Sequence, residues 1–75
     1  MREIKVGQVY KHFKGNLIEV LLIAKDSEDL SEKVVYKHLD TGEIWVRDKE
    51  MFLSKVDSVK YPDVTQVYRF ELQSE

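Results

Sequence analysis

The chain has 75 residues, enough for one small domain spanning 1–75, with 12 basic and 14 acidic side chains, a net charge of −2 and a hydrophobic fraction of 43%. That fraction argues against disorder, the near-balance of charge argues against a chain built mainly to grip a phosphate backbone, and the lack of cysteine excludes disulfides, thiolate metal sites and a cysteine nucleophile. The longest apolar run, residues 20–24, is far too short to cross a membrane, and the charged start Met1-Arg2-Glu3-Ile4-Lys5 has no signal-peptide core, so a cytoplasmic protein is expected.

Residues 6–13 alternate with a period of two, as a strand with two unlike faces does: Val9 and Phe13 on one, Val6, Tyr10 and His12 on the other. Lys14-Gly15-Asn16 reads as a turn, because Gly and Asn take up positive φ at small cost. A second strand is expected at 17–25, with Ile18, Val20, Leu22 and Ala24 on an unbroken apolar face and Leu17, Glu19, Leu21 and Ile23 opposite. Apolar side chains on both faces mark it as central. Residues 26–33, polar and acidic around Leu30, read as a loop. The β-branched and aromatic stretch 34–39 is a third strand. Asp40-Thr41-Gly42-Glu43 is a tight connection, which makes the fourth strand, 44–47, its antiparallel neighbour. Asp48 stands where it can cap one helical or 3-10 turn carrying Met51, Phe52 and Val56. Residues 57–66 hold the single proline, Pro62, and no clean period, and 67–72 alternate as a fifth strand. The expected fold class is therefore all-β, a small and strongly bent antiparallel barrel with Val9, Phe13, Ile18, Val20, Leu22, Val46 and Phe52 in one core.

Several pieces occur in a recognisable order: Tyr10-Lys11-His12-Phe13-Lys14-Gly15-Asn16, Glu19-Val20, Val34-Val35-Tyr36, Trp45-Val46-Arg47, Met51-Phe52 and Arg69-Phe70. Together they span nearly the whole chain and make it resemble the domain of unknown function 1653 family, small and mainly bacterial proteins. The resemblance implies a five-stranded SH3-like barrel and brings no established activity. The family usually places proline after its Trp-Val-Arg, where this chain has Asp48, and a histidine after the alanine of the second strand, where it has Lys25.

Chemistry is sparse. The two histidines, His12 and His38, lie on different strands with no carboxylate cluster beside either, so no metal and no cofactor is expected. The serines lack a nucleophile-elbow context, and Gly7, Gly15 and Gly42 are scattered rather than gathered in a phosphate loop. His38 and Asp40 are close enough in sequence to act as a base and its orienting acid, or simply to share a strand end. The acidic run Glu28-Asp29 with Glu32 reads as a solvated loop. The aromatic set carries more. Tyr10, Tyr36 and Trp45, with Lys11, Lys14, Arg47 and Lys49, can form an aromatic floor with cationic edges, a surface on which small barrels bind single-stranded nucleic acid, nucleotides or peptides. Against this stands Trp45 as a plug of the core, with Arg47 either stacked structurally or clamping an anion. If Trp45 and Arg47 point outward, alternation leaves Val46 for the core. If Trp45 turns inward, Arg47 follows it and snorkels at the barrel mouth.

The expectation is a non-enzymatic binding module, a monomer or weak dimer. Its candidate ligand residues are Tyr10, His12, Lys14, Tyr36, Trp45 and Arg47, and its partner is a nucleic acid or nucleotide. The alternatives are a peptide or protein on the same face, or an enzyme using His12 or His38 in nucleotide chemistry.

Overall fold

A computed structural model describes residues 3–74. Five strands, β1 (Val9–His12), β2 (Leu17–Lys25), β3 (Glu32–His38), β4 (Ile44–Asp48) and β5 (Phe70–Ser74), form one antiparallel sheet in the order β4-β3-β2-β1-β5. One short helix, α1 (Lys49–Phe52), follows β4. The all-β expectation and the strand count hold, and β2 occupies the span expected for it. The ladders leave β4 and β5 as edges; a ladder closing the sheet into a barrel is not among those of the described residues. The sheet nonetheless curls hard. The ring of Tyr36 on β3 stands 5.7 Å from that of Phe70 on β5, although two strands lie between them.

That curl wraps a core of Ile4, Tyr10, Ile18, Val20, Val34, Tyr36, Phe52 and Phe70, with Ile23 and Leu53 packed against it. Its centre is aromatic: Phe52 and Phe70 stack at 4.2 Å, and Tyr10 and Tyr36 meet Phe52 edge-on. Edge-to-face and offset contacts of this kind add to simple burial.

Four expected core residues are not in it. Val9 is only part-buried because β1 turns its other face inward, and Phe13, in the turn just past the strand, is part-buried in the open hollow rather than in the core. Tyr10 takes the inner position, and its hydroxyl can afford burial because it donates to Gln8 Oε1 at 2.8 Å. Leu22 is exposed because a β-bulge lies between Val20 and Leu22: Val20 faces Tyr36 while Leu22 faces Val35. Two residues of β2 therefore span one of β3, and the inward phase passes from Ile18 and Val20 to Ile23. Val46 is exposed because β4 sets its other face toward the core, pairing Trp45 with Tyr36 and Arg47 with Val34. Asp48 occupies the N-cap position of α1 without a side-chain cap; its carboxylate instead pairs with Lys33, its neighbour across the β3–β4 ladder.

Candidate functional site

The curled inner face ends in an open hollow of about 270 Å³ walled by both sheet edges and by the segment before β5. β1 and the turn after it supply His12, Phe13, Lys14 and Asn16. β3 and β4 supply Tyr36, His38, Trp45 and Arg47, and the return stretch supplies Tyr61, Arg69 and Phe70. The turn is built by Gly15, whose φ of +101° a side chain would strain, with Gly15 N–H donating to the His12 carbonyl at 2.8 Å. It carries Lys14 to the rim.

The rings run along the floor in a continuous series. His12 lies 5.0 Å from Phe70 and 4.3 Å from Phe13, and Phe13 lies 4.9 Å from Tyr61. On the β3–β4 side His38 bridges Tyr36 at 5.8 Å and Trp45 at 5.5 Å. Trp45 keeps half of its surface in solvent, so it is not a core plug. It stands on the inner face at the sheet edge, where β4 has no outer neighbour.

Cations sit over these rings. The Arg47 guanidinium carbon is 5.7 Å from the centre of Phe70, Arg69 is 6.0 Å from Phe13, and the Lys14 ammonium is 5.6 Å from Tyr61. Each arginine is anchored through Nε on a neutral hydroxyl: Arg47 donates to Tyr36 Oη at 3.4 Å and Arg69 to Ser54 Oγ at 3.1 Å. Among the described residues, none of Lys14, Arg47 and Arg69 forms a salt bridge with a carboxylate. Asp40 comes nearest the hollow, 4.0 Å from His38 Nδ1, with its other oxygen accepting from Asn16 at 3.3 Å.

His12 registers this field. Burial, then Arg47, Arg69, Lys14 and His38 in that order, pull its pKa from 6.5 to about 4, so the ring is neutral at pH 7. Its Nδ1 accepts from the Lys14 backbone N–H at 3.1 Å, which leaves the ring proton on Nε2. A base engaged in this way is poorly placed to take protons. Among the described residues no group of three His, Asp or Glu side chains is arranged to hold a metal ion.

Five of the six residues singled out from the sequence, namely His12, Lys14, Tyr36, Trp45 and Arg47, line this one hollow. Tyr36 does so from beneath, almost fully buried, as the hydroxyl support of Arg47. Tyr10 is the exception: it is sealed in the core and borders a separate hollow with Glu3, Lys5, Gln8, Tyr68, Glu71 and Leu72. Phe13, Asn16, His38, Tyr61, Arg69 and Phe70 complete the lining and are not among the ligand residues expected from the sequence. The Arg69-Phe70 pair carried a usable signal, a cation beside an aromatic at a strand start, but nothing local places it beside His12.

The other hollows differ in character. One between the β2–β3 loop and α1 is lined by Asp29, Glu32, Asp48 and Glu50, with Lys33 and Lys49 already ion-paired to acids. Among the described residues no helix is long and apolar enough to cross a membrane.

Searches of curated proteins and of solved structures return no match. The family model described as Protein of unknown function (DUF1653) matches residues 8–72, nearly the full length and every residue that lines the hollow. The chain belongs to the DUF1653 family.

Proposed function

We propose that this protein is a non-enzymatic binding module that holds a planar, anionic group, a nucleotide or a short single-stranded nucleic-acid segment, in the hollow between Trp45 and Tyr61. One observation carries the reading. In a chain of net charge −2, Lys14, Arg47 and Arg69 line one ring-walled hollow, and among the described residues none of them is ion-paired to a carboxylate. Unpaired cations lying over aromatic faces suit a ligand that combines a stacking plane with negative oxygens. The overall negative charge works against non-specific binding to long polyanions, so affinity has to come from this local arrangement.

The test is a titration of isotope-labelled protein with tetrathymidylate, followed by chemical shifts, over a salt series. The expected result is shifts confined to the Trp45 indole, His12, Phe13 and Tyr61. With three phosphate contacts, log affinity should fall against log salt with a slope of about −2. Shifts elsewhere, or none at millimolar oligonucleotide, would reject the reading. Salt-independent binding of a peptide to these same residues would replace it with a peptide-binding module.

A further inference from the structure

Resting on that reading, we propose that the hollow selects a terminal phosphomonoester, the phosphate end of a nucleotide or strand, over the internal phosphodiesters of a chain. The first ground is charge. A phosphomonoester carries nearly two negative charges at neutral pH and three acceptor oxygens, whereas each internal diester carries one charge. Three cations without an ion-pair partner among the described residues exceed a single diester's charge threefold and come closer to balance with a dianion.

The second ground is geometry. Both guanidinium groups are pinned at Nε, Arg47 by Tyr36 and Arg69 by Ser54. Among the described residues no bond from protein engages their terminal Nη groups. Each arginine thus leaves the two-pronged edge that binds phosphate oxygens in pairs facing away from its hydroxyl partner. The neutral His12 ring, with Nδ1 held by the Lys14 backbone, adds an Nε2–H donor without adding charge. The acceptors nearby are the Tyr36 hydroxyl, already taken by Arg47 Nε, and Asp40, which faces His38 and Asn16 rather than either arginine.

The third ground is size. A hollow of about 270 Å³, at the lower end of small-ligand sites, has room for one nucleotide rather than a run of several. Stacking on Trp45 can place the base at the β4 lip while the phosphate lies toward Arg69 and Lys14. A strand would then enter by its end.

The experiment compares four probes by calorimetry: tetrathymidylate with a 5′-phosphate, the same oligonucleotide with a 5′-hydroxyl, thymidine 5′-monophosphate, and inorganic phosphate. The 5′-phosphorylated strand should bind at least tenfold tighter than its hydroxyl form, and the monophosphate should retain most of that affinity. Inorganic phosphate should bind more weakly than the monophosphate, for want of a base. Arg69→Lys keeps the charge but removes the fork, and should bring the ratio between the two strands toward one while the protein stays folded. Equal affinity of the two strands overturns the end-group inference and leaves the binding reading standing. Failure of all four probes to bind overturns both. Inorganic phosphate binding as tightly as the monophosphate would show an oxyanion site without base stacking, and would overturn the nucleotide part of the inference.

Discussion

Two groups of aromatic rings occupy the same inner face of the sheet and serve opposite ends. Tyr10, Tyr36, Phe52 and Phe70 are closed in on one another, and each tyrosine hydroxyl has a partner in Gln8 or Arg47. His12, Phe13, Trp45 and Tyr61 continue the series to the open end, where they touch neighbouring rings on one side only and leave surface to solvent, with cations over Phe13 and Tyr61. Composition does not separate the groups. Position along the curl does: where the sheet wraps, rings become core, and where β4 ends the sheet, a ring on the same face is left half bare.

The contrast breaks most visibly at Phe52. Phe52→Ala should cost about 3–5 kcal/mol in urea unfolding, because a fully buried ring stacked on Phe70 is lost and α1 cannot refill the space. A cost below about 1 kcal/mol would mean the closed group is not what holds the sheet together. Next comes a matched pair on β2. Val20→Ala should cost about 1–3 kcal/mol and Leu22→Ala clearly less, although both lie on one face of an ideal strand, because the bulge turns Leu22 outward. Equal costs would remove the bulge from the account.

At the open end the sign of the comparison reverses. Trp45→Ala should leave unfolding within about 1 kcal/mol of the parent, since half of the ring is already in water, yet weaken oligonucleotide binding by about 1–3 kcal/mol through lost stacking. An unfolded Trp45→Ala would return this residue to the core.

The last effect is read as a slope rather than as a single cost: the pH dependence carried by His12. With its pKa near 4 in the folded protein and 6.5 when unfolded, the unfolded chain binds more protons between those values. The contribution of the neutral ring is therefore complete above pH 6.5 and declines as pH falls toward 4. His12→Gln should show a flatter stability profile than the parent across that window, with the carboxylates common to both cancelling in the difference. Identical profiles would mean that the ring is open to protonation, and the field of Arg47, Arg69 and Lys14 weaker than their convergence implies.

Much of the fold was legible because it is local. The span of β2, the turn at Asp40-Thr41-Gly42-Glu43 and the pairing of β3 with β4 all follow from alternation and turn chemistry within a few residues. What alternation cannot say is which face turns inward. On β1 that was decided by a partner for a hydroxyl, Gln8, rather than by hydrophobicity, since Val9 lost the inner position to Tyr10. On β2 one extra residue changed the phase, and no glycine or proline announces it. For β4 the inner face was read only as an alternative, because Trp45 and Arg47 are hardly more core-like than Ile44 and Val46. The site divides in the same way. Lys14, Trp45 and Arg47 stand out by type, whereas Phe13 by its type alone reads as core. Arg69 and Phe70 reach the hollow through the pairing of β1 with β5, and Tyr61 through its contact with Phe13, neither of which spacing in the sequence encodes.

That pairing also sets the order in which the molecule can be made. β1 through β4 form a meander whose ladders join consecutive strands and can zip as each emerges from the ribosome. β5 instead returns to β1, and the Gln66 amide that reinforces the return bonds the Lys11 carbonyl across 55 positions. Until Phe70 has been synthesised, Phe52 lacks its stacking partner and Arg47 lacks the ring beneath it. A chain that stops short of Phe70 lacks the strand that covers this end of the sheet and holds only part of the hollow, so the core and the hollow are completed by the same addition, that of β5.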